Sequence, residues 1–495
     1  MKKIFHKDWS WLEHWANRVY TPMYNPLYHL GAIAVFLIWV LIISGIYLFI
    51  FYEISAKGAY SSVQYLTEDQ WYLGGAIRSL HHYGADLLVI ATILHLIHTF
   101  VTDRYRYWRW VAWVSGVLLL WLIWISGIFG YWMVWDARAQ LVATLSAEML
   151  DKVPIFGQPL SIALSSNSSL SNQFFYIVLF IHFSTPVVLF ILLWIHVKRI
   201  AMARVNPPAG LSRAIVGFIL LLSAVKPVEL GLKADLGKLP VNIPFDWFYL
   251  FIYPPLKHIS ASSLWVIVIM SSIFVASLPW IGKKKRFPAA EVASLNCTGC
   301  EQCMMDCPYE AVYMAPKKNG LLEAKISDRN CASCGICVGA CDYAAINLPH
   351  FAEEAMKQKV LRLSQELKAS GMHPAIFTFV CERGVELKDI LKHDKEMEWT
   401  RAISIPCIGM LMPSITTIPL QAGVQGVFIA GCQVGDCYYR FGNEWFAQRL
   451  KGIRRPVPER DFDYSRIKLA GFSVVEIEDF LISLNKFRDE LGQGV

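Results

Sequence analysis

Cysteine is missing from the first 296 residues; all twelve lie between Cys297 and Cys437. A disulfide framework running through the chain is thereby excluded, and the confinement points to metal ligation in a reducing compartment. The opening stretch, MKKIFHKDWSWLEHWANR, has no apolar core. No cleavable signal peptide is expected, and the first long apolar run serves as the insertion signal. No GxGxxG motif follows a strand-like run, so no flavin or nicotinamide site is expected in this chain, and neither a nucleophile motif nor a hydrolytic constellation is present. Large charge of one sign is also absent. The net +7 over 495 residues sits largely in loops between apolar runs and needs no nucleic acid to explain it.

What is abundant is apolar length. Hydrophobic residues make up 55% of the chain and mean hydropathy is +0.39, too apolar for a soluble protein, with the apolarity concentrated before residue 282. Six spans are expected at about Tyr28–Tyr52, Ile77–Val101, Trp110–Trp135, Phe174–Val197, Leu211–Val225 and Ser262–Ile281. The fifth is short for a bilayer core that needs ~20 residues, and Lys226-Pro227 ends it, so it extends, tilts or stops short. Lys and Arg gather in the N-terminal segment, in TDRYRYWRW, in HVKRIAMARVNPP and in GKKKR. These share one side if the spans alternate, which places both termini in the cytoplasm of a multi-pass inner-membrane protein.

Two spans carry histidines. His81 and His95 are 14 residues apart, and so are His182 and His196. At 3.6 residues per turn each pair lies near one helix face, separated by ~21 Å of rise. Ionisable groups inside a span are costly and usually functional. Helices with matched pairs can clamp two haems stacked across the bilayer, each iron held by one histidine from each helix. Equal depth pairs His81 with His182 on the outer side and His95 with His196 on the inner side. The plain alternative is that each histidine bonds a serine hydroxyl or carbonyl inside a bundle. Gly31 and Gly45, and Gly116 and Gly130, repeat the 14-residue spacing in two other spans. Glycine lets a flat macrocycle approach the backbone, although glycine also serves helix packing in membranes.

Residues from about 20 to 282 resemble cytochrome b of the bc-type quinol-oxidising complexes. The resemblance rests on RSLHHYGADLLVIATILH, on GYWMVWDARAQLVATLSAEMLDKVPIFG, on the span holding His182, Pro186 and His196, and on PFDWFYLF at Pro244–Phe251. It implies a low-potential outer haem, a high-potential inner haem, and Arg78 at a haem propionate. PFDWFYLF stands where that family has its PEWY motif. Asp246 aligns with the glutamate and Trp247 with the tryptophan, while Phe248 replaces the tyrosine. A carboxylate there can take the proton of a quinol as its electrons leave. The alternative is an amphipathic interfacial turn.

The cysteines begin after a basic linker. Cys297, Cys300, Cys303 and Cys307 form a CxxCxxCxxxCP run, and Cys331, Cys334, Cys337 and Cys341 a second run lacking the proline. This is two-cluster ferredoxin spacing, in which the fourth cysteine of each run crosses to the other cluster. Cys297, Cys300, Cys303 and Cys341 are expected to hold one [4Fe-4S] cluster, and Cys331, Cys334, Cys337 and Cys307 the other. Zinc knuckles would not require two complete runs.

From about Met356, the runs AIFTFVC, RAISIPC and GVFIAGC alternate with helical stretches, as in a small parallel α/β domain. Cys381, Cys407, Cys432 and Cys437 sit at strand ends or just beyond, where such sheets place ligands. They converge on a [2Fe-2S] cluster or are buried without one. Residues 375–450, centred on GCQVGDCYYRFGNEWFAQRL, resemble the delta subunit of methyl-viologen-reducing hydrogenase. The first CxxC pair of that family reads Cys381-Glu-Arg-Gly384 here, so one cysteine is missing. The resemblance implies an FAD-containing partner of the heterodisulfide-reductase or NAD(P)H-oxidising kind, docked on this domain.

The expected architecture is multidomain. A transmembrane all-α haem-binding bundle (1–282) precedes an α+β ferredoxin domain (283–355), which is followed by a small parallel-sheet α/β domain (356–495). The expected function is electron transfer between the quinone pool and a cytoplasmic partner, as the redox subunit of a quinone oxidoreductase complex. Two other readings stay open. One is a bc-type cytochrome b working with a Rieske protein or c-type cytochrome outside. The other is a membrane adaptor with no quinone turnover of its own. A homodimer is expected only through the bc-type resemblance.

Overall fold

The computed structural model describes residues 2–153, 159–164, 166–167, 169–198, 202–238, 246–282, 287–318, 320–392, 397–459 and 463–493. Among these, the helices of nine residues or more are α1 (Lys2–Tyr24), α2 (Leu30–Phe51), α3 (Ala76–Val101), α4 (Trp110–Val134), α5 (Ala137–Leu150), α6 (Asn172–Lys198), α7 (Ala209–Val225), α8 (Ala261–Ser277), α9 (Glu353–Ala369), α10 (Pro413–Gln421), α11 (Gly442–Leu450) and α12 (Ile477–Gly492). The chain divides into two compact units. One gathers Met1–Tyr28, Val101–Trp108 and Lys283–Val495; the other comprises His29–Phe100 and Arg109–Gly282.

The second unit is helical. Five stretches are long and apolar enough to cross a membrane: Leu30–Phe51, Trp71–Val101, Tyr107–Val134, Asn172–Lys198 and Ala261–Trp280. α7, expected as the fifth of six spans, has 17 residues and rises only ~25 Å, below the ~30 Å of a hydrocarbon core. Its backbone leaves the helix at Lys226 (φ −135°, ψ 74°), because the following proline disfavours helical geometry there.

α4 and α6 pack along much of their length, burying Phe175 and Val178. α5 was not separated as an element in the sequence. Its buried face is a stripe of small residues, Ala139, Ala143 and Ala147, all fully buried. Asp136 starts it: Oδ1 accepts from the Ala139 N–H at 2.9 Å and Oδ2 from the Gly231 N–H at 3.1 Å.

The first unit is mixed. An antiparallel hairpin pairs β1 (Val312–Pro316) with β2 (Leu322–Ile326). Four parallel strands follow: β3 (Ile376–Cys381), β4 (Thr400–Ile405), β5 (Gly426–Gly431) and β6 (Ile467–Gly471), in the order β4-β3-β5-β6. Alternation along β3 and β5 splits the core in two. Phe377, Phe379, Val427 and Ile429 share a cluster with α9, and Ile376, Val380 and Phe428 share one with α12, as period-two geometry requires. β6 and α12 were not foreseen. β6 is a five-residue edge strand, nowhere fully buried, and lacks the apolar run that marks the other three.

Replacing Asp136 by alanine removes the cap of α5 and leaves the Gly231 N–H without its carboxylate. A loss of about 1–2 kcal/mol is expected, read as a lower midpoint of thermal unfolding in detergent, with unchanged helix content below the transition.

Candidate redox sites

His81 and His95 lie on α3, His182 and His196 on α6. Each imidazole faces one of the four spaced glycines. A methyl built on Gly31 would come within 3.1 Å of His95, on Gly45 within 3.3 Å of His81, on Gly116 within 3.3 Å of His196, and on Gly130 within 3.1 Å of His182. The sequence suggested room for a macrocycle; the contact found is with the imidazole itself.

Three of the four rings have a fixed tautomer. The Ser44 hydroxyl donates to the Val40 carbonyl (2.8 Å) and the Ser115 hydroxyl to the Val111 carbonyl (2.7 Å). With their protons committed, these oxygens accept from His81 Nδ1 (2.9 Å) and His196 Nδ1 (3.1 Å). His182 Nδ1 donates to the Ser126 carbonyl at 2.9 Å. The bare nitrogen is therefore Nε2 in each. The serine or carbonyl bond that a bundle histidine would make is present, and it leaves the ring ready for a metal, as second-shell partners of ligating histidines do. The ring centres of His81 and His182 are 6.5 Å apart. A metal held at about 2 Å by one nitrogen of each ring would set them roughly 6 Å apart, so the residues fit such an ion. The serines escaped the sequence reading, although Ser44-Gly45 and Ser115-Gly116 repeat the same dipeptide.

Arg78, expected at a propionate, donates to the carbonyls of Val228 (2.7 Å) and Glu229 (3.4 Å). In the PFDWFYLF stretch, Pro244 and Phe245 lie outside the described residues. Asp246 accepts from the N–H groups of Phe248 (2.7 Å) and Tyr249 (3.4 Å) and from the Tyr131 hydroxyl. His82 and Asp86 complete a cluster whose polar atoms lie within 4.8 Å of one another and of Asp246. Trp247 is an exposed neighbour, 72% accessible. A carboxylate, a phenol, an imidazole and a second carboxylate thus converge, a setting able to pass protons. Tyr131, His82 and Asp86 were not picked out from the sequence as members of this group.

The ferredoxin cysteines line two separate cavities. One is lined by Cys297, Cys300, Cys303 and Cys341, the other by Cys307, Cys331, Cys334 and Cys337. Backbone N–H groups already point at the sulfurs: Ala324 at Cys297 (3.4 Å), Ala345 at Cys341 (3.3 Å), Ala311 at Cys307 (3.3 Å) and Ser333 at Cys331 (3.4 Å). Such donors stabilise sulfur-borne negative charge. As a bare thiol, Cys303 is pushed up to about 12 by burial and by the neighbouring Cys341, so metal must displace its proton on binding.

In the sheet region Cys381 ends β3, Cys407 follows β4, and Cys432 and Cys437 follow β5. The sulfurs of Cys381 and Cys432 are 3.4 Å apart, and the Cys437 thiol lies beside those of Cys407 and Cys432. The site lies at the carboxyl ends of β3 and β5, adjacent strands with opposite onward crossovers, where α/β sheets place ligands. The cysteine missing after Cys381 has a steric reason. A side chain at Gly384 would stand 2.9 Å from the Gly431 carbonyl and 3.0 Å from that of Phe472. Four sulfurs are the set that converges, and four thiolates suit an iron–sulfur centre.

Paired imidazoles in membrane-length helices, joined to sulfur-lined cavities, define a membrane electron-transfer protein. Residues 16–223 match the family model of cytochrome b/b6/petB, residues 296–345 that of the 4Fe-4S dicluster domain, and residues 376–493 that of the methyl-viologen-reducing hydrogenase delta subunit. The chain is thus a cytochrome b region followed by a 4Fe-4S dicluster domain and a hydrogenase-delta domain, and it is an integral membrane protein. A cytochrome b region implies b haem, and the dicluster domain implies iron–sulfur clusters.

Cytochrome b of Acanthamoeba castellanii is 26% identical over 52% of this chain and 74% of that one. The menaquinol:cytochrome c reductase cytochrome b subunit of Geobacillus thermodenitrificans is 27% identical over 29% of this chain and 66% of that one. A solved chain titled Hyperthermophilic respiratory Complex III is 20% identical, covering 51% of this chain and 75% of that chain, with a TM-score of 0.42.

Gly442 lies against this four-sulfur site: a methyl there would overlap the Cys407 sulfur. Gly442→Ala is expected to lower the iron bound per chain by at least one atom while the iron of the ferredoxin region stays, measured by iron analysis of the purified protein against wild type.

Proposed function

We propose that this protein carries single electrons between a membrane quinone and a soluble partner on the cytoplasmic side. The reading is supported above all by the four imidazoles, each backed by a glycine, three of them with Nδ1 committed to a serine hydroxyl or carbonyl and Nε2 bare. His81 and His182 would hold one b haem, His95 and His196 the other. Cys297, Cys300, Cys303 and Cys341 would hold a first [4Fe-4S] cluster, Cys331, Cys334, Cys337 and Cys307 a second, and Cys381, Cys407, Cys432 and Cys437 a [2Fe-2S] cluster. When bound, these groups supply one-electron carriers at fixed positions; the polypeptide supplies placement and tuning.

The chain's own residues divide the work. Ser44, Ser115 and the Ser126 carbonyl orient imidazoles. Amide N–H groups stabilise charge on the cluster sulfurs. Asp246 takes the quinol proton, and Tyr131, His82 and Asp86 offer it onward routes. The likeness to a menaquinol-oxidising relative favours a quinone of that class. The delta-subunit domain favours a flavoprotein of the heterodisulfide-reductase or NAD(P)H-oxidising kind as the soluble partner. The basic loops, counted with α7 as one of six crossings, favour a cytoplasmic position for both termini and the iron–sulfur domains.

One observation keeps a second reading in view. The Asp246 cluster offers a proton-accepting group, and an outer-side position for it is what a bc-type enzyme with a Rieske partner requires.

Two substitutions test the proposal. His95→Ala with His196→Ala is expected to remove one of two b haems per chain, read by haem extraction, and leave the iron–sulfur content unchanged. Asp246→Asn is expected to slow quinol-dependent haem reduction at least tenfold at unchanged haem content. An unchanged rate assigns quinone exchange to another site.

A further inference from the structure

Arg449 of α11 and Asp306 are both completely buried. Arg449 Nη2 meets Asp306 Oδ2 at 2.6 Å. Its Nη1 donates to the Gly409 carbonyl at 2.7 Å, and Nη2 also approaches the Ile336 carbonyl at 3.4 Å. Arg454 pairs with the other oxygen of Asp306. A charge this deep is tolerated only with its partners in place, and removing one partner is strongly destabilising.

The partners are not scattered. Asp306 precedes Cys307, Ile336 precedes Cys337, and Gly409 lies two residues after Cys407. One guanidinium therefore grips two segments that carry ligands of the second ferredoxin site and one that carries a ligand of the C-terminal site. The packing around it is close. A methyl on Gly339 would stand 2.7 Å from Arg449 Nη1, and one on Gly409 would stand 3.0 Å from Ile336. At the other end of the ferredoxin region Cys300 is exposed, whereas all four cysteines of the second site are buried.

Resting on the reading that these cavities hold clusters, we infer that Arg449 is a positioning residue. It fixes the Cys307/Cys331/Cys334/Cys337 site against the Cys381/Cys407/Cys432/Cys437 site, so the C-terminal centre communicates with the second ferredoxin centre and not with the first. Each crossing moves one electron from the reduced centre to the oxidised one, with no proton or atom transferred. The electrons come from the quinol at one end or from a soluble carrier protein at the other. The fork geometry matters as much as the charge, because a lysine cannot meet Asp306 and two carbonyls in one plane.

The test uses the full-length protein, purified in detergent, reduced with dithionite and examined by electron paramagnetic resonance, with iron counted in every sample. Wild type is expected to show magnetic broadening between the C-terminal signal and one [4Fe-4S] signal. Arg449→Met at full iron content is expected to at least halve that broadening and to shift both midpoint potentials. Should Arg449→Met lose iron, Arg449→Lys serves instead, with a smaller shift in the same direction. Cys300→Ser, which disturbs only the first site, is expected to leave the broadening intact. Unchanged broadening and potentials in both Arg449 variants, or broadening lost in Cys300→Ser, would overturn the inference. A wild-type chain without iron in its C-terminal site would instead overturn the cluster assignment on which it rests.

Discussion

A flat ring can lie against a helix only where the helix offers no side chain, and this constraint organises the membrane region. It is met four times, at Gly31, Gly45, Gly116 and Gly130, each opposite one histidine. The two glycine helices thus act as walls for the two histidine helices. Hydroxyls one residue before two of these glycines fix the tautomer of the ring they face, through serine protons already given to the helix backbone. Room and proton state are set by neighbouring residues, so the dipeptide Ser-Gly performs two tasks at once.

The other unit obeys a different constraint, the burial of sulfur. Its twelve cysteines fall into three groups of four, and eleven of the twelve are at least partly shielded from solvent. A group of bare thiols in a protein interior resists ionisation, as the upward shift of Cys303 shows. A metal centre restores the balance by compensating thiolate charge. The amide donors around the ferredoxin sulfurs and the buried Arg449–Asp306 pair are polar groups that an ordinary hydrophobic core would have no reason to enclose.

Much of this was legible in the residue order because the signals are periodic. A 14-residue spacing places groups on one helix face whatever surrounds them, and the cysteine runs carry their own pairing rule. The parallel sheet was legible from three apolar runs ending in cysteine. What escaped depends on contacts between distant segments. Tyr131 meets Asp246 across 115 positions and Arg449 meets Asp306 across 143; neither has a local pattern. The edge strand β6 escaped for a related reason. Its length is set by the sheet's margin, where an apolar run says little. The small-residue helix α5 hid inside a loop because its buried face is alanine, which carries weak hydropathy.

The central claim is that four imidazoles grip two haem irons. The most direct measurement is the haem content of the purified wild-type chain by alkaline pyridine spectroscopy, alongside its non-haem iron. The account predicts two b haems per chain with about ten non-haem irons. A chain that folds, inserts in the membrane and binds its iron but shows no b-type haem would contradict it.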